Sequence, residues 1–219
     1  MRMRKKKWAE PYLDAHLEYA LTDPRELKGQ WKAFLKGKTL HVEIGTGKGD
    51  YLMEMSRMYP EDAWVGIEKE HNVAAIACRK MLEDETFSKE NNRLIVADGA
   101  NLEDWFEEGE IDMIHLNFSD PWPKDRHAKR RLTSDRFLPI YDQILKKDGI
   151  IEFKTDNQGL FNYSMESIPE AGWNIDAVTY DLHNSWMNKG NVMTEYEIKF
   201  SSEGNPICKL IASRQKDSE

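Results

Sequence analysis

The segment NFSDPWPKDRHAKRR, residues 117–131, places a carboxylate, a tryptophan and five cations close together in the sequence. A carboxylate, Asp120, is followed by Trp122, an aromatic residue between two prolines. Cations that can contact phosphates come next: Lys124, Arg126, Lys129, Arg130 and Arg131. The 219-residue chain carries a net charge of −8. The cations are therefore a local feature, and their distribution points to an anionic ligand.

A second group of residues is typical of a nucleoside-binding site. VEIGTGKGD, residues 42–50, ends an apolar run and contains three glycines that let the chain turn tightly and approach a ligand closely: Gly45, Gly47 and Gly49. Glu68 ends the next apolar run, 19 residues after Gly49. A carboxylate at that place can accept hydrogen bonds from both hydroxyls of a ribose.

Two nucleoside cofactors compete for this loop. A dinucleotide requires GxGxxG and a helix N-terminus that receives the pyrophosphate, but this loop reads GxGxG, with Asp50 in place of the last glycine and Glu43 just before it. Carboxylates repel a pyrophosphate, whereas they suit S-adenosylmethionine, which carries a sulfonium and an ammonium and no phosphate. Asp98 ends a third apolar run, where it can bind the adenine amine or, equally well, cap the following helix.

Composition and cysteine usage exclude several classes of protein. The chain is 40% hydrophobic and 32% charged, which is typical of globular rather than disordered proteins. Its apolar runs are too short to cross a bilayer, and its basic start lacks the apolar region of a secretory signal, so we expect a cytoplasmic protein without a membrane partner. Cys78 and Cys208 match no CxxC pattern, so we expect neither a disulfide framework nor a metal site. A second basic cluster lies at the N-terminus: Arg2, Arg4, Lys5, Lys6 and Lys7.

Alternating apolar and amphipathic segments predict an α/β fold that positions these residues. Strands are predicted over 39–45, 63–68, 93–98, 111–118, 150–155, 174–182 and 205–213, and helices over 51–60, 72–82, 101–109, 134–149 and 158–170. Such strands indicate a single doubly wound, mostly parallel seven-stranded sheet with helices on both faces. We expect this domain to span residues 37–219, after a basic arm, residues 1–36, whose last part forms a helix over 25–35.

The segment TEYEIKFSSEG, residues 194–204, is compatible with two structures. Thr194 and Glu197 fit a capping box and Gly204 fits a helix end, which together favour a helix. The strict alternation of YEIKF would also suit a hairpin.

Residues 39–155 resemble a class I S-adenosylmethionine-dependent methyltransferase. With SDPWPKDRHAKRR, KTDN and TEYE, nearly the whole chain resembles the bacterial tRNA (guanine-N7-)-methyltransferase family. The long basic motif is far more specific than the glycine loop, although Asp125 departs from the family pattern, in which a basic residue is expected. The resemblance implies methyl transfer from S-adenosylmethionine to N7 of a guanine in tRNA, by a monomer or homodimer. A class I methyltransferase with another nucleic-acid target, a non-catalytic RNA-binding relative and a nucleotide-dependent oxidoreductase remain alternatives.

The resemblance also implies roles for individual residues. Asn117 and Asp120 border the methyl-donor end of the cofactor. The substrate-binding residues are Lys124, Asp156, Thr194, Glu195, Tyr196 and Glu197, and the RNA contacts are Arg126, His127, Lys129, Arg130 and Arg131. Without the resemblance, Asp156 is better explained as a helix N-cap and His127 as a solvated residue.

Asp120 is the predicted catalytic residue. Guanine N7 has a free in-plane lone pair and no proton, so its methylation needs no general base. The product is a cationic purine, and an anionic group beside it stabilises the developing charge. Trp122 either stacks on the base or closes the edge of the sheet. His115 lies in a predicted buried strand, where a histidine usually belongs to the core.

Overall fold

A computed structural model describes residues 5–215. The chain divides into two compact units, residues 1–107 and residues 108–219. The predicted boundary between residues 36 and 37 stays a prediction. Within residues 5–215, every helix is too short or too polar to span a bilayer.

The first unit contains a parallel set of four strands. Its helices are α1 (Ala9–Asp14), α2 (Trp31–Phe34), α3 (Asp50–Met58), α4 (His71–Glu83) and α5 (Leu102–Trp105), and its strands are β1 (Ala20–Leu21), β2 (Leu40–Ile44), β3 (Ala63–Ile67) and β4 (Asn92–Ile95). The strands lie in the order β1-β4-β3-β2, and each pairs in parallel. All residues of β2 and β3 are buried. This burial is what the continuous apolar runs predicted for strands covered on both faces.

The described part of the arm packs against α4. Ala9 and Leu13 of α1 are buried, and the Lys6 amide donates a hydrogen bond to Asn72 Oδ1 over 2.6 Å. The predicted helix over residues 25–35 is wrong: a 3-10 turn at Arg25–Leu27 and the short α2 replace it. Gly29 separates them with a φ of +75°, which a helix cannot accommodate. Arg2 and Arg4 lie outside the described residues.

The second unit contains four strands of mixed direction. Its elements are β5 (Ile111–Asn117), a 3-10 helix (Asp125–Arg130), α6 (Leu138–Ile144), β6 (Leu145–Thr155), α7 (Gln158–Glu170), β7 (Trp173–Thr179), α8 (Glu195–Ser202) and β8 (Cys208–Arg214). The order is β5-β6-β8-β7, with β5 and β6 parallel and β8 antiparallel to both of its neighbours. Residues 5–215 thus form eight strands rather than the predicted seven, because the two-residue β1 is too short to produce a sequence pattern.

Two predicted helices are shorter than expected, and the ambiguous segment is helical. The helix predicted to reach residue 149 ends at Ile144, because Leu145 already pairs with Ile111 and begins β6. The helix predicted over 101–109 is reduced to α5, and the Trp31 indole donates to the Trp105 carbonyl over 2.9 Å at its end. Residues 195–202 form α8, as the capping-box pattern predicted.

Candidate functional site

The glycine loop follows β2 and has a backbone that favours glycine. The φ angles of Gly45, Gly47 and Gly49 are +81°, +59° and +77°. A Cβ added at Gly45 or Gly47 would meet no atom within 4 Å, so there is room for a ligand beside them. At Gly49 an added Cβ would lie 2.3 Å from Met81 Cε, so this glycine lets α3 pack closely on α4.

Glu68 follows β3 and is held by the same loop. Its Oε2 accepts from the Gly47 amide over 3.0 Å and its Oε1 from the Glu70 amide over 2.8 Å. Burial raises the pKa of Glu68 above 4.5, although the hydrogen bonds from those amides act in the opposite direction. Glu43 is only 2% exposed and accepts from the Thr46 hydroxyl. The structure therefore brings Glu68 to the loop and buries Glu43 at the end of β2.

The two other carboxylates considered for the cofactor site, Asp98 and Asp50, have partners within the chain. Asp98 is exposed and caps the 3-10 turn Gly99–Asn101, accepting from the Ala100 amide over 3.0 Å, so it caps the turn directly before α5 rather than the helix itself, whose N-cap is Asn101. The role of Asp98 toward adenine stays a prediction. Asp50 forms an ion pair with Lys80. Because this pair offsets the charge of Asp50, Glu43 is the main carboxylate that would repel a pyrophosphate at this loop.

The end of β5 leads into residues 119–122, here called the SDPW turn. Phe118, directly before the turn, and Trp122, its last residue, have φ angles of +51° and +40°. Non-glycine residues in this region cost about 1–3 kcal/mol each, so the surroundings must hold the turn. The Phe118 amide donates to the Lys154 carbonyl over 2.9 Å. Asp120 is exposed on this turn, and Asn117, which ends β5, is 8% exposed.

Three members of residues 124–131, here called the basic segment, contact the SDPW turn. Arg131 donates to the carbonyls of Pro121 and Trp122 over 3.2 and 3.0 Å, and its guanidinium lies 4.3 Å from the centre of the Tyr163 ring. Arg130 lies 4.8 Å over the Trp122 ring, and His127 meets the edge of that ring at 5.8 Å. These three residues thus brace the turn, and their RNA contacts stay predictions.

The remaining members of the basic segment point to solvent. Lys124, Arg126 and Lys129 are exposed along the 3-10 helix and the residue before it. Asp125, the residue that departs from the family pattern, is exposed among them. Exposed cations with little conformational restraint are the side chains that most readily meet phosphates.

Residues 194–197, here called the TEYE segment, form the first turn of α8. Thr194 is the N-cap, and its hydroxyl accepts from the Glu197 amide over 3.0 Å. Glu195 and Tyr196 are exposed, whereas Glu197 is fully buried and its Oε2 lies 2.7 Å from Lys154 Nζ. Burial opposes the charged form of Glu197, but Lys154, His183 and Asn191 together outweigh it through attraction and hydrogen bonds, so the pKa of Glu197 is lowered. Of the four substrate-binding residues predicted here, Glu195 and Tyr196 are exposed, whereas Thr194 and Glu197 are buried.

Asp156 lies directly after β6 and is half-buried. Burial raises its pKa above 3.8. Asn157, not Asp156, caps α7 by accepting from the Leu160 amide over 2.8 Å. The alternative explanation of Asp156 as a helix N-cap is therefore wrong.

Three polar residues around Glu197 were not predicted: Lys154, His183 and Asn191. Lys154 is only 2% exposed, although a lysine near a strand end is usually solvated. The sequence feature that could have indicated its burial is its position inside the apolar run IIEFKT, residues 150–155. His115 is 1% exposed, with Nδ1 3.3 Å from Glu152, and so belongs to the core as predicted. Within residues 5–215, no group of His, Cys, Asp or Glu side chains is arranged to hold a metal ion.

Comparison with known proteins gives matches over almost the entire chain. Residues 37–210 match a family described as "Putative methyltransferase". A tRNA (guanine-N(7)-)-methyltransferase of Limosilactobacillus reuteri is 49% identical over 97% of this chain and 99% of the relative. Enzymes with the same name from Geobacillus thermodenitrificans and Lachnoclostridium phytofermentans are 46% and 44% identical, over 98% and 99% of this chain and 98% and 100% of theirs.

Solved structures support the fold at much lower identity. The 16S rRNA methyltransferase KamB superposes with a TM-score of 0.63 at 13% identity, covering 86% of this chain and 92% of that one. An antibiotic-related methyltransferase gives a TM-score of 0.62 at 16% identity, with 86% and 94% covered. The predicted α/β fold of a class I methyltransferase is thereby confirmed.

Proposed function

Because the chain belongs to the tRNA (guanine-N(7)-)-methyltransferase family, we propose that it transfers a methyl group from S-adenosylmethionine to N7 of a guanine in tRNA. The observation that carries this proposal is the 49% identity over 97% of the chain to a relative of that name. Residues 37–219 form the methyltransferase domain in this proposal, which the family match over residues 37–210 supports.

The residues of the glycine loop fit S-adenosylmethionine. When bound, this cofactor supplies an electrophilic methyl group on a sulfonium. The open space beside Gly45 and Gly47 admits a ligand, and the Glu68 carboxylate, oriented by two backbone amides, accepts from the ribose hydroxyls. Glu43 favours a cationic ligand by its charge. Asp98 accepts one backbone hydrogen bond at Oδ1, which leaves Oδ2 for the adenine amine.

The second unit supplies the groups for guanine. Asp120 is exposed on a turn that Arg131 braces, so its carboxylate can meet a base without reorganising. It stabilises the positive charge that the ring gains on N7 methylation. Asp156, Thr194, Glu195 and Tyr196 contribute the remaining contacts to the base, and Asn117 borders the methyl donor.

Exposed cations supply the contacts to the tRNA backbone. Lys124, Arg126 and Lys129 contact phosphates in this proposal, since they extend into solvent beside Asp120 in sequence. The enzyme acts in the cytoplasm, as a monomer or homodimer.

One experiment tests the proposed function directly. The protein is incubated with unmodified tRNA and methyl-labelled S-adenosylmethionine, and the labelled nucleoside is identified after digestion. We expect the label in 7-methylguanosine. Label on an exocyclic amine would contradict the proposed target atom. Unchanged tRNA, with the protein still binding it, would indicate a non-catalytic RNA-binding relative.

A further inference from the structure

A buried ion pair joins the end of β6 to the start of α8. Lys154 is 2% exposed and Glu197 is fully buried, and Lys154 Nζ lies 2.7 Å from Glu197 Oε2. The attraction within such a pair roughly offsets the cost of removing both charges from water. Stability is therefore a weak explanation for the pair, and the better-attested use of buried ionic groups is to select one geometry.

The hydrogen bonds around this pair form a closed network. Lys154 Nζ also donates to Asn191 Oδ1 and to the Val192 carbonyl, each over 2.9 Å. The three donors of the ammonium thus have three acceptors. Glu197 Oε1 accepts from Asn191 Nδ2 over 2.6 Å and from His183 Nε2 over 2.8 Å. Lys154 and Glu197 therefore hold the segment before α8 from both sides.

This network determines which way the TEYE segment faces. Because Glu197 points into the network, the preceding residues on the same helical turn point away from it, and Tyr196 is 54% exposed. The Tyr196 and Phe200 rings stack with centroids 6.2 Å apart, and Phe200 stacks on Phe118 at 6.3 Å. The aromatic contacts thus run from the exposed Tyr196 to the residue directly before the SDPW turn.

Lys154 also contacts the residue directly before that turn through its backbone. Its carbonyl accepts from the Phe118 amide over 2.9 Å, and Phe118 has a strained, positive φ. The same residue therefore fixes the SDPW turn with its main chain and the TEYE segment with its side chain.

We propose that Lys154 is a positioning residue for methyl transfer: through Glu197, it holds the TEYE segment in register with Asp120 on the SDPW turn, so that one guanine fits between them. This inference rests on the proposed function. It also assigns Glu197 to positioning, since the network already occupies both of its carboxylate oxygens.

The adjacent strand provides a matched control. Lys209 on β8 lies directly opposite Lys154 in the register of the sheet. It pairs with Glu152 Oε1 over 3.1 Å, and Glu152 Oε2 lies 3.3 Å from His115 Nδ1. This second group has the same lysine, glutamate and histidine chemistry, but it includes no residue of the SDPW turn or the TEYE segment.

The test compares two double variants, each of which replaces both members of one lysine–glutamate ion pair so that neither charge is left without its partner. In Lys154→Met/Glu197→Gln we expect kcat/KM for tRNA to fall about 10- to 100-fold, because misplaced contacts cost reactivity on that scale. The dissociation constant of S-adenosylmethionine, measured by calorimetry, should stay within about twofold. In Lys209→Met/Glu152→Gln, kcat/KM should stay within about threefold of wild type at a comparable loss of thermal stability.

Hydrogen exchange gives a readout that does not depend on activity. Amides of residues 191–200 should exchange faster in the Lys154 double variant and at the wild-type rate in the Lys209 double variant. Equal losses of kcat/KM in both variants, or unchanged exchange in the first, would overturn the positioning role. If the wild-type protein formed no 7-methylguanosine, the proposed function would be contradicted instead. Hydrogen exchange would still test whether Lys154 holds residues 191–200 in place.

Discussion

Asp120 is the residue on which the proposed chemistry depends most. Its carboxylate is exposed on a turn between two residues with positive φ, and the turn is braced by Arg131 and by the backbone of Lys154. A group that is held in place before the substrate arrives needs little reorganisation when charge develops on the base. Asp120 stays a predicted electrostatic group, and it need not act as a base because guanine N7 carries no proton to remove.

Two substitutions of Asp120 should distinguish the contribution of its negative charge to methyl transfer from that of its shape. We expect Asp120→Ala to lower single-turnover methylation on the order of 10²-fold, as removal of a preorganised electrostatic group does, while S-adenosylmethionine binding largely survives. Asp120→Asn keeps an acceptor oxygen but no charge, and it should be impaired to a similar degree. Asp125→Ala, which removes an exposed carboxylate from the same segment, is the control. Near-normal turnover in Asp120→Asn would show that hydrogen-bonded positioning matters rather than charge.

Glu68 should make cofactor binding sensitive to pH. Burial raises its pKa above 4.5, so protonation begins at a higher pH than for a solvated glutamate. Since only the carboxylate accepts from both ribose hydroxyls, S-adenosylmethionine affinity should fall as the pH is lowered from 7 toward 5. Glu68→Gln should weaken binding by about 1–3 kcal/mol and remove this pH dependence. Calorimetry at several pH values measures both effects.

A matched substitution tests whether this pH dependence belongs to Glu68. Glu85→Gln replaces an exposed glutamate of the same unit and should behave as wild type. An identical pH profile in wild type and Glu68→Gln would remove Glu68 from the cofactor site.

At the scale of elements, the basic segment has two roles. Arg131 is half-buried against the SDPW turn and Arg130, although exposed, lies over the Trp122 ring, whereas Lys124, Arg126 and Lys129 are exposed. These cations lie close together in the sequence. In the structure, the chain around the 3-10 helix directs some of them toward the SDPW turn and others into solvent. Substitutions in the two groups should therefore have different consequences.

The exposed group should determine the salt dependence of tRNA binding. In Lys124→Ala/Arg126→Ala/Lys129→Ala, the slope of log affinity against log salt should decrease by roughly two to three units, about one for each lost phosphate contact. Cofactor binding should be unchanged. Arg25→Ala/Lys36→Ala/Lys38→Ala removes the same charge from exposed residues that pair with acidic side chains, and its slope should match wild type. Equal slopes in the two triple variants would mean that residues 124–129 are solvated surface.

At the scale of the whole molecule, Glu152 should contribute to acid sensitivity. Burial alone would raise its pKa, but hydrogen bonding and attraction from His115 and Lys209 lower the pKa to about 2. A carboxylate with a lowered folded pKa adds stability above its unfolded pKa near 4.5, and that stability is lost as the pH falls toward 2.

Urea unfolding at pH 7, 5 and 3.5 measures this contribution. Glu152→Gln should be less stable than wild type at pH 7, and the difference should narrow as the pH falls below 4.5. Glu166→Gln, in the exposed part of α7, should follow the wild-type curve. A constant difference between Glu152→Gln and wild type across this pH range would contradict the linkage.

The fold class, the family and most strand positions could be predicted from the amino-acid sequence alone. The strands at 39–45, 63–68 and 111–118 were predicted to within one residue at each end, since an apolar run is a local signal that survives in any parallel sheet. The glycines of the loop after β2 and the motifs SDPW and TEYE are equally local. Helix ends were less predictable: residues 145–149 carry helix-ending signals, but pairing with β5 makes them a strand.

Long-range packing sets which side chains of the predicted site face solvent and which brace the site, so these roles could not be predicted from local patterns. Lys154 and Glu197 are 43 residues apart in sequence, and no local pattern shows that they form one buried pair. In the same way, Arg131 becomes a brace because the chain folds back on Pro121 and Trp122. Local sequence patterns favour particular helices, strands and turns. The partner that satisfies a buried charge depends instead on how distant strands and helices pack.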